Sequence, residues 1–122
     1  MAIQLRAQHK SLDNADEKRT FPKGRNEIVN VGGRAIGRLT LEPGWRWSEH
    51  VKPQVGTSSC QVAHLVYVAA GRLASRMDSG EEFEIGPGEV GYVPPGHDGW
   101  VVGKDTCVVI EMAGAAEYAK QK

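Results

Sequence analysis

Glycine and proline turns divide this chain, after about residue 25, into short runs that read as strands. The candidate strands are residues 27–31, 34–42, 45–51, 64–70, 72–78, 82–85, 89–93, 100–103 and 106–112. Asp78, Ser79 and Gly80 stand between two alternating runs and predict a hairpin, and GPGE at 86–89 predicts a second turn. Many short antiparallel strands in one domain mean a sandwich or a barrel. Residues 64–70 (HLVYVAA) and 106–112 (TCVVIEM) are apolar on both faces. Such a strand lies between two sheets, or between one sheet and a partner subunit. The second case predicts a homodimer.

At 122 residues the chain is expected to be one domain with a real core. Residues 1–25 are polar and charged, and LDNADEKRTFPKGR shows no firm period, which predicts an N-terminal arm lying on the surface or on a partner. Residues 26–122 are the barrel domain, ending in a short tail, AGAAEYAKQK, with helical propensity. Fifteen Lys and Arg balance fifteen Asp and Glu, so no basic face points to nucleic acid. The opening MAIQLRAQHK lacks the apolar run of a signal peptide, and no stretch is long enough to span a bilayer. A cytoplasmic protein without a membrane partner is expected. Cys60 and Cys107 make no disulfide framework and are read as reduced thiols.

The stretch GEVGYVPPGHDGW, residues 88–100, carries the first chemistry. Pro94 and Pro95 fix φ and remove two donors, and Gly96 permits a sharp bend, so His97 and Asp98 are held rigidly at the mouth of a sheet. If residues 45–52 are extended, Arg46, Ser48, His50 and Lys52 share one face, and Trp45, Trp47, Glu49 and Val51 the other. Either face can be the inner one. If the tryptophans point in, His50 is a surface residue. His64 shares its face with Val66 and Val68, and with Val62 and Cys60 if the extension continues.

The turns from Gly44 to about Met112 resemble the cupin superfamily, and the spacing of PGWRWSEHVKP, SCQ-x-x-H and PPGHDxW is similar to that of a subgroup of small single-domain bacterial cupins. The first family motif is Gly, five residues, His-x-His, a few residues, Glu, six residues, Gly. Gly44, His50 and Gly71 match it; Lys52 stands at the second histidine and His64 at the glutamate. The second motif is Gly, five residues, Pro-x-Gly, two residues, His. Gly88, Pro94 and Gly96 match, but the histidine position is Gly99, the nearest histidine is His97, and the motif's asparagine falls on Gly103. The resemblance implies an all-β fold, a double-stranded β-helix or jelly-roll barrel of cupin-like form, with His50 turned inward.

A metal site is then expected from His50, His64 and His97, with Cys60 as a fourth candidate. Neutral imidazoles suit Zn, Ni, Cu or Fe(II), and a thiolate shifts preference toward Zn. The expected cofactor is a divalent transition metal: Zn, Fe, Ni or Mn. Lys52 must point away from it, because an ammonium repels a divalent ion. Arg46, Ser48, Lys52 and Trp100 are candidates for substrate contact, and His97 with Asp98 for an acid/base pair. The expected activity is that of a metal-dependent isomerase, lyase or dioxygenase acting on a polar organic acid. The alternative is a metal-free barrel that binds a small ligand without catalysis, using Arg46, Glu49, Lys52, Asp98 and the same histidines for a small anion such as a carboxylate or a sugar acid.

Overall fold

The computed structural model describes residues 6–113. Among them the chain runs β1 (Glu17–Phe21), β2 (Gly24–Val31), β3 (Arg34–Leu41), two one-turn helices α1 (Trp47–His50) and α2 (Lys52–Val55), then β4 (His64–Ala70), β5 (Leu73–Met77), β6 (Glu82–Ile85), β7 (Val90–Val93), β8 (His97–Val101) and β9 (Cys107–Ala113). The helical tail expected at 113–122 lies almost wholly outside the described residues.

The strands form two antiparallel sheets, one ordered β1-β2-β3-β9-β4-β7 and one ordered β6-β5-β8. Period-2 alternation turns one side of each strand inward. Leu39 and Leu41 of β3, Val66 and Val68 of β4 and Val109 of β9 face Ile85 of β6 and Val101 of β8 across a shared core. This is the all-β, cupin-like jelly-roll barrel expected from the turns.

Two segments differ from expectation. Residues 17–21 are not a loose arm but the edge strand β1, hairpinned to β2 through Pro22 and Lys23. Its charged EKRT run has no apolar period to show, and charge of that kind is what a solvent-facing edge strand tolerates. Residues 45–51 are not a strand either. Trp47 and Val51 are both buried, and a spacing of four suits a helical turn as well as it suits alternation. The backbone bond from Val51 N to Trp47 O (3.0 Å) closes that turn. Asp98 of β8 accepts from Ser48 N (3.1 Å), which supplies the cap α1 lacks locally. Trp45 and Trp47 both point into the core.

Candidate metal centre

Alternation along three strands brings the site together. His64 leads the inner face of β4, His97 that of β8, and Glu111 continues the inner row Cys107, Val109 on β9. Glu111 pairs across from Val66, which sets its carboxylate beside His64, two residues earlier on the same face. Cys60 arrives from the loop between α2 and β4 through an isolated bridge. Its N–H donates to His97 O (2.7 Å), and Gly96 N donates to its carbonyl (2.7 Å). Gly96 has φ +90°, and a Cβ there would lie 2.9 Å from Asp78 Oδ2, so this bend needs glycine. Asp78 in turn accepts from Ser59 Oγ (2.9 Å) and donates its N–H to Gly96 O (2.8 Å), pinning the Cys60 loop to the His97 turn.

One donor atom from each of Cys60, His64 and His97 lies within 4.8 Å of the others, and all three residues are buried. Cys60 Sγ is 3.6 Å from His64 Nε2. His64 Nδ1 makes a short hydrogen bond to Glu111 Oε2. A carboxylate accepts, so Nδ1 carries a hydrogen, and Nε2 is the nitrogen turned to Cys60. His97 Nδ1 donates to Pro94 O (2.8 Å), which leaves Nε2 as the ring nitrogen available to the cluster. A thiol and two oriented imidazoles are the donor chemistry of a borderline-soft divalent ion, and the residues fit such an ion.

The electrostatics agree with the geometry. Burial by itself raises the Cys60 thiol, but hydrogen bonds with His64 and His97 outweigh it and bring the group down to about 7. Burial disfavours the His64 imidazolium, yet its bonds to Cys60 and Glu111 more than offset that and lift it to about 9. Burial raises Glu111, and the His64 contact pulls it back without cancelling the effect. Both partners of the short bond therefore hold protons more tightly than usual. Cys107 has no such neighbours, and burial alone pushes its thiol up to about 11.

His64, His97 and Glu111 border a cavity of about 40 Å³ whose other walls include Trp45, Val66 and Val109. One water occupies about 10–15 Å³ by this kind of measure, and a cavity of about 150 Å³ takes benzene. That volume has room for a molecule of about two or three non-hydrogen atoms.

The structure does not gather the remaining predicted residues into this cluster. His50 lies on α1, with Nδ1 3.0 Å from Arg46 N and 3.1 Å from Arg46 O. The helical turn that buries Trp47 carries His50 away from the core. Asp98 and His97 are neighbours in β8 and therefore face opposite sides, so they are not paired as acid and base. Asp98 binds Arg46 Nη1 (3.1 Å), and the Arg46 guanidinium stacks 4.3 Å over Trp100. Arg46, Ser48, Asp98 and Trp100 thus form a clamp on the outside of the barrel, and Lys52 is exposed on α2. Glu111 is the functional residue the sequence reading passed over. Its signal was there: a carboxylate in register with Cys107 and Val109 on an otherwise apolar inner face.

No protein-family profile matches the chain, and no curated protein matches it. Solved structures do. A Rhizobium leguminosarum protein of unknown function aligns over 88% of this chain and 98% of its own, with TM-score 0.62 and 21% identity. A serine-to-alanine mutant of Bacillus subtilis oxalate decarboxylase aligns over 86% of this chain, with TM-score 0.56 and 18% identity. Lactobacillus farciminis oxalate decarboxylase, in a formate complex, aligns over 86% with TM-score 0.56 and 16% identity. The chain spans 29% and 32% of those two decarboxylases. The likeness is one of fold. No helix among the described residues is long and apolar enough to cross a membrane.

Proposed function

We propose that this chain is a metal-dependent enzyme of cupin type acting on a very small molecule, with Cys60, His64 and His97 holding one divalent transition metal. The observation that carries the reading is the convergence of three buried donors, from a loop and two strands, within 4.8 Å. When bound, such an ion supplies Lewis-acid polarisation or a site for oxygen. The chain's own groups do the rest. Glu111 holds the His64 ring by its Nδ1 hydrogen, Pro94 O holds His97, and mostly apolar walls surround them. The test is metal content of untagged protein by mass spectrometry. Near one transition-metal ion per chain is expected, lost in His64→Ala with the fold retained. Protein that is empty and takes up no added metal overturns the reading.

One observation favours a metal-free binding barrel as the second reading: Cys60 Sγ and His64 Nε2 already bond each other at 3.6 Å, so the cluster satisfies itself without an ion. A folded His64→Ala that keeps its metal removes His64 from the ligand set. The chain further pairs with a second copy through the outer face of β4 and β7. Leu65, Tyr67, Val90 and Tyr92 lie exposed there on hydrogen-bonded neighbours, which supports the pairing. Light scattering that finds a stable monomer at micromolar concentration removes this part of the proposal.

A further inference from the structure

Two polar atoms at the cavity have nothing to bond. Glu111 Oε1 and Trp45 Nε1 are both buried, and neither has a hydrogen-bond partner among the described residues. Both residues line the same cavity. The other Glu111 oxygen is taken by His64. An indole N–H only donates and a carboxylate oxygen only accepts, so these two unpartnered atoms offer one donor and one acceptor. Unpaired buried polar groups are costly, and a pair of them in one chamber calls for a guest that satisfies both. The remaining walls are mostly apolar, Leu41, Val66 and Val109 among them, with Trp47, Ser75 and the two histidines completing the lining.

We infer that the cavity takes one neutral, hydroxyl-bearing molecule of two or three non-hydrogen atoms. Its hydroxyl hydrogen goes to Glu111 Oε1, and its oxygen accepts from Trp45 Nε1. The inference deepens the metal reading above and rests on it for the chemistry done beside His64 and His97. Water can also meet both atoms, and among solutes larger than water elimination supports the assignment. An apolar gas leaves both atoms unpaired. An ammonium only donates and leaves Trp45 without a partner. A carboxylate sets its charge against Glu111 in an apolar chamber. A larger hydroxy acid exceeds the volume of about 40 Å³. So small a guest binds no tighter than about millimolar.

The test uses metal-free protein labelled with ¹⁵N at tryptophan and ¹³C at valine methyls. The probes are methanol, ethanol, 1-butanol and xenon. Methanol and ethanol are expected to move the Trp45 indole N–H resonance saturably in the millimolar range, with the Val66 and Val109 methyls following. Trp100, outside the cavity, stays unmoved, and 1-butanol has no effect. Trp45→Phe keeps the ring and removes the donor; it is expected to weaken methanol binding at least fivefold, read from the valine methyls. If Trp45→Phe does not fold, Glu111→Gln serves, with a loss of the same order. Xenon acting where methanol does not, 1-butanol acting like methanol, or silence from every probe each overturns the inference. Zinc titration is run separately. Zinc uptake without a methanol response sinks this inference and spares the metal reading; a methanol response without zinc uptake does the reverse.

Discussion

Replacing Glu111 by glutamine tests how the metal reading is built. The carboxylate is not itself a proposed ligand; it acts through His64 Nδ1. Glutamine retains a carbonyl that can accept the same hydrogen, so the ring stays oriented and only the charge is lost. Burial already raises Glu111, so a neutral isostere is tolerated in that place. Outer-shell partners of metal-ligating histidines are worth about 10–100-fold in affinity. With orientation kept, Glu111→Gln belongs at the lower end, about tenfold or 1.4 kcal/mol. Glu111→Ala loses charge and orientation together and is expected near the upper end, about a hundredfold. Competition for zinc against a chromophoric chelator gives both numbers. Cobalt substitution gives a thiolate charge-transfer band that shows whether Cys60 still ligates, and far-UV circular dichroism checks the fold. Wild-type affinity within twofold in both folded variants refutes the coupling of Glu111 to the metal through His64.

Three other outcomes are expected. Metal affinity should rise with pH, because Cys60 near 7 and His64 near 9 must each shed a proton to ligate. The slope is about two decades per pH unit below pH 7 and about one between 7 and 9, then flat, and calorimetry in buffers of different ionisation enthalpy counts the released protons; a flat profile from pH 6 to 9 contradicts the ligand set. Gly71→Ala should cost at least about 2 kcal/mol. Gly71 sits at φ +74°, and an added Cβ would lie 2.7 Å from both Cys107 Cα and Thr106 O; a calorimetric Tm within about 2 °C of wild type refutes that clash. Asp98→Asn should lose the partly exposed Arg46 pair at about 0.5–1 kcal/mol and leave metal content unchanged. A drop in metal content returns Asp98 to the site.

Most of the barrel was legible because its strands alternate and its turns are spelled in glycine and proline. Residues 64–70 and 82–85 run to the observed bounds. His64, Cys60 and His97 were legible as candidates, since each follows from a turn or from an apolar inner row. His50 was misread because Trp47 and Val51 satisfy two periods at once. The choice between them is made by Asp98, about fifty positions away in the chain, and no local pattern contains it. Glu111 was hidden by its company. Within TCVVIEM it reads as one polar residue in an apolar strand, and its meaning comes only from the β4–β9 register that sets it against Val66 and His64. The edge strand β1 was invisible for the opposite reason: only Phe21 at its end is buried, and the charged run before it is held by hydrogen bonding to β2.

In the six-stranded sheet β9 lies between β3 and β4, and those two strands do not pair with each other. The β1-β2-β3 meander and the β4-β7 pair are joined by a strand that synthesis delivers after both. A nascent chain that has emerged only as far as residue 106 has two open sheet edges and a His64 without its carboxylate. The same strand that closes the seam brings Glu111. Assembly of the barrel and completion of the site are thus one event, timed by the order of synthesis, and during translation those waiting edges are where a chaperone or a neighbouring chain would find its hold.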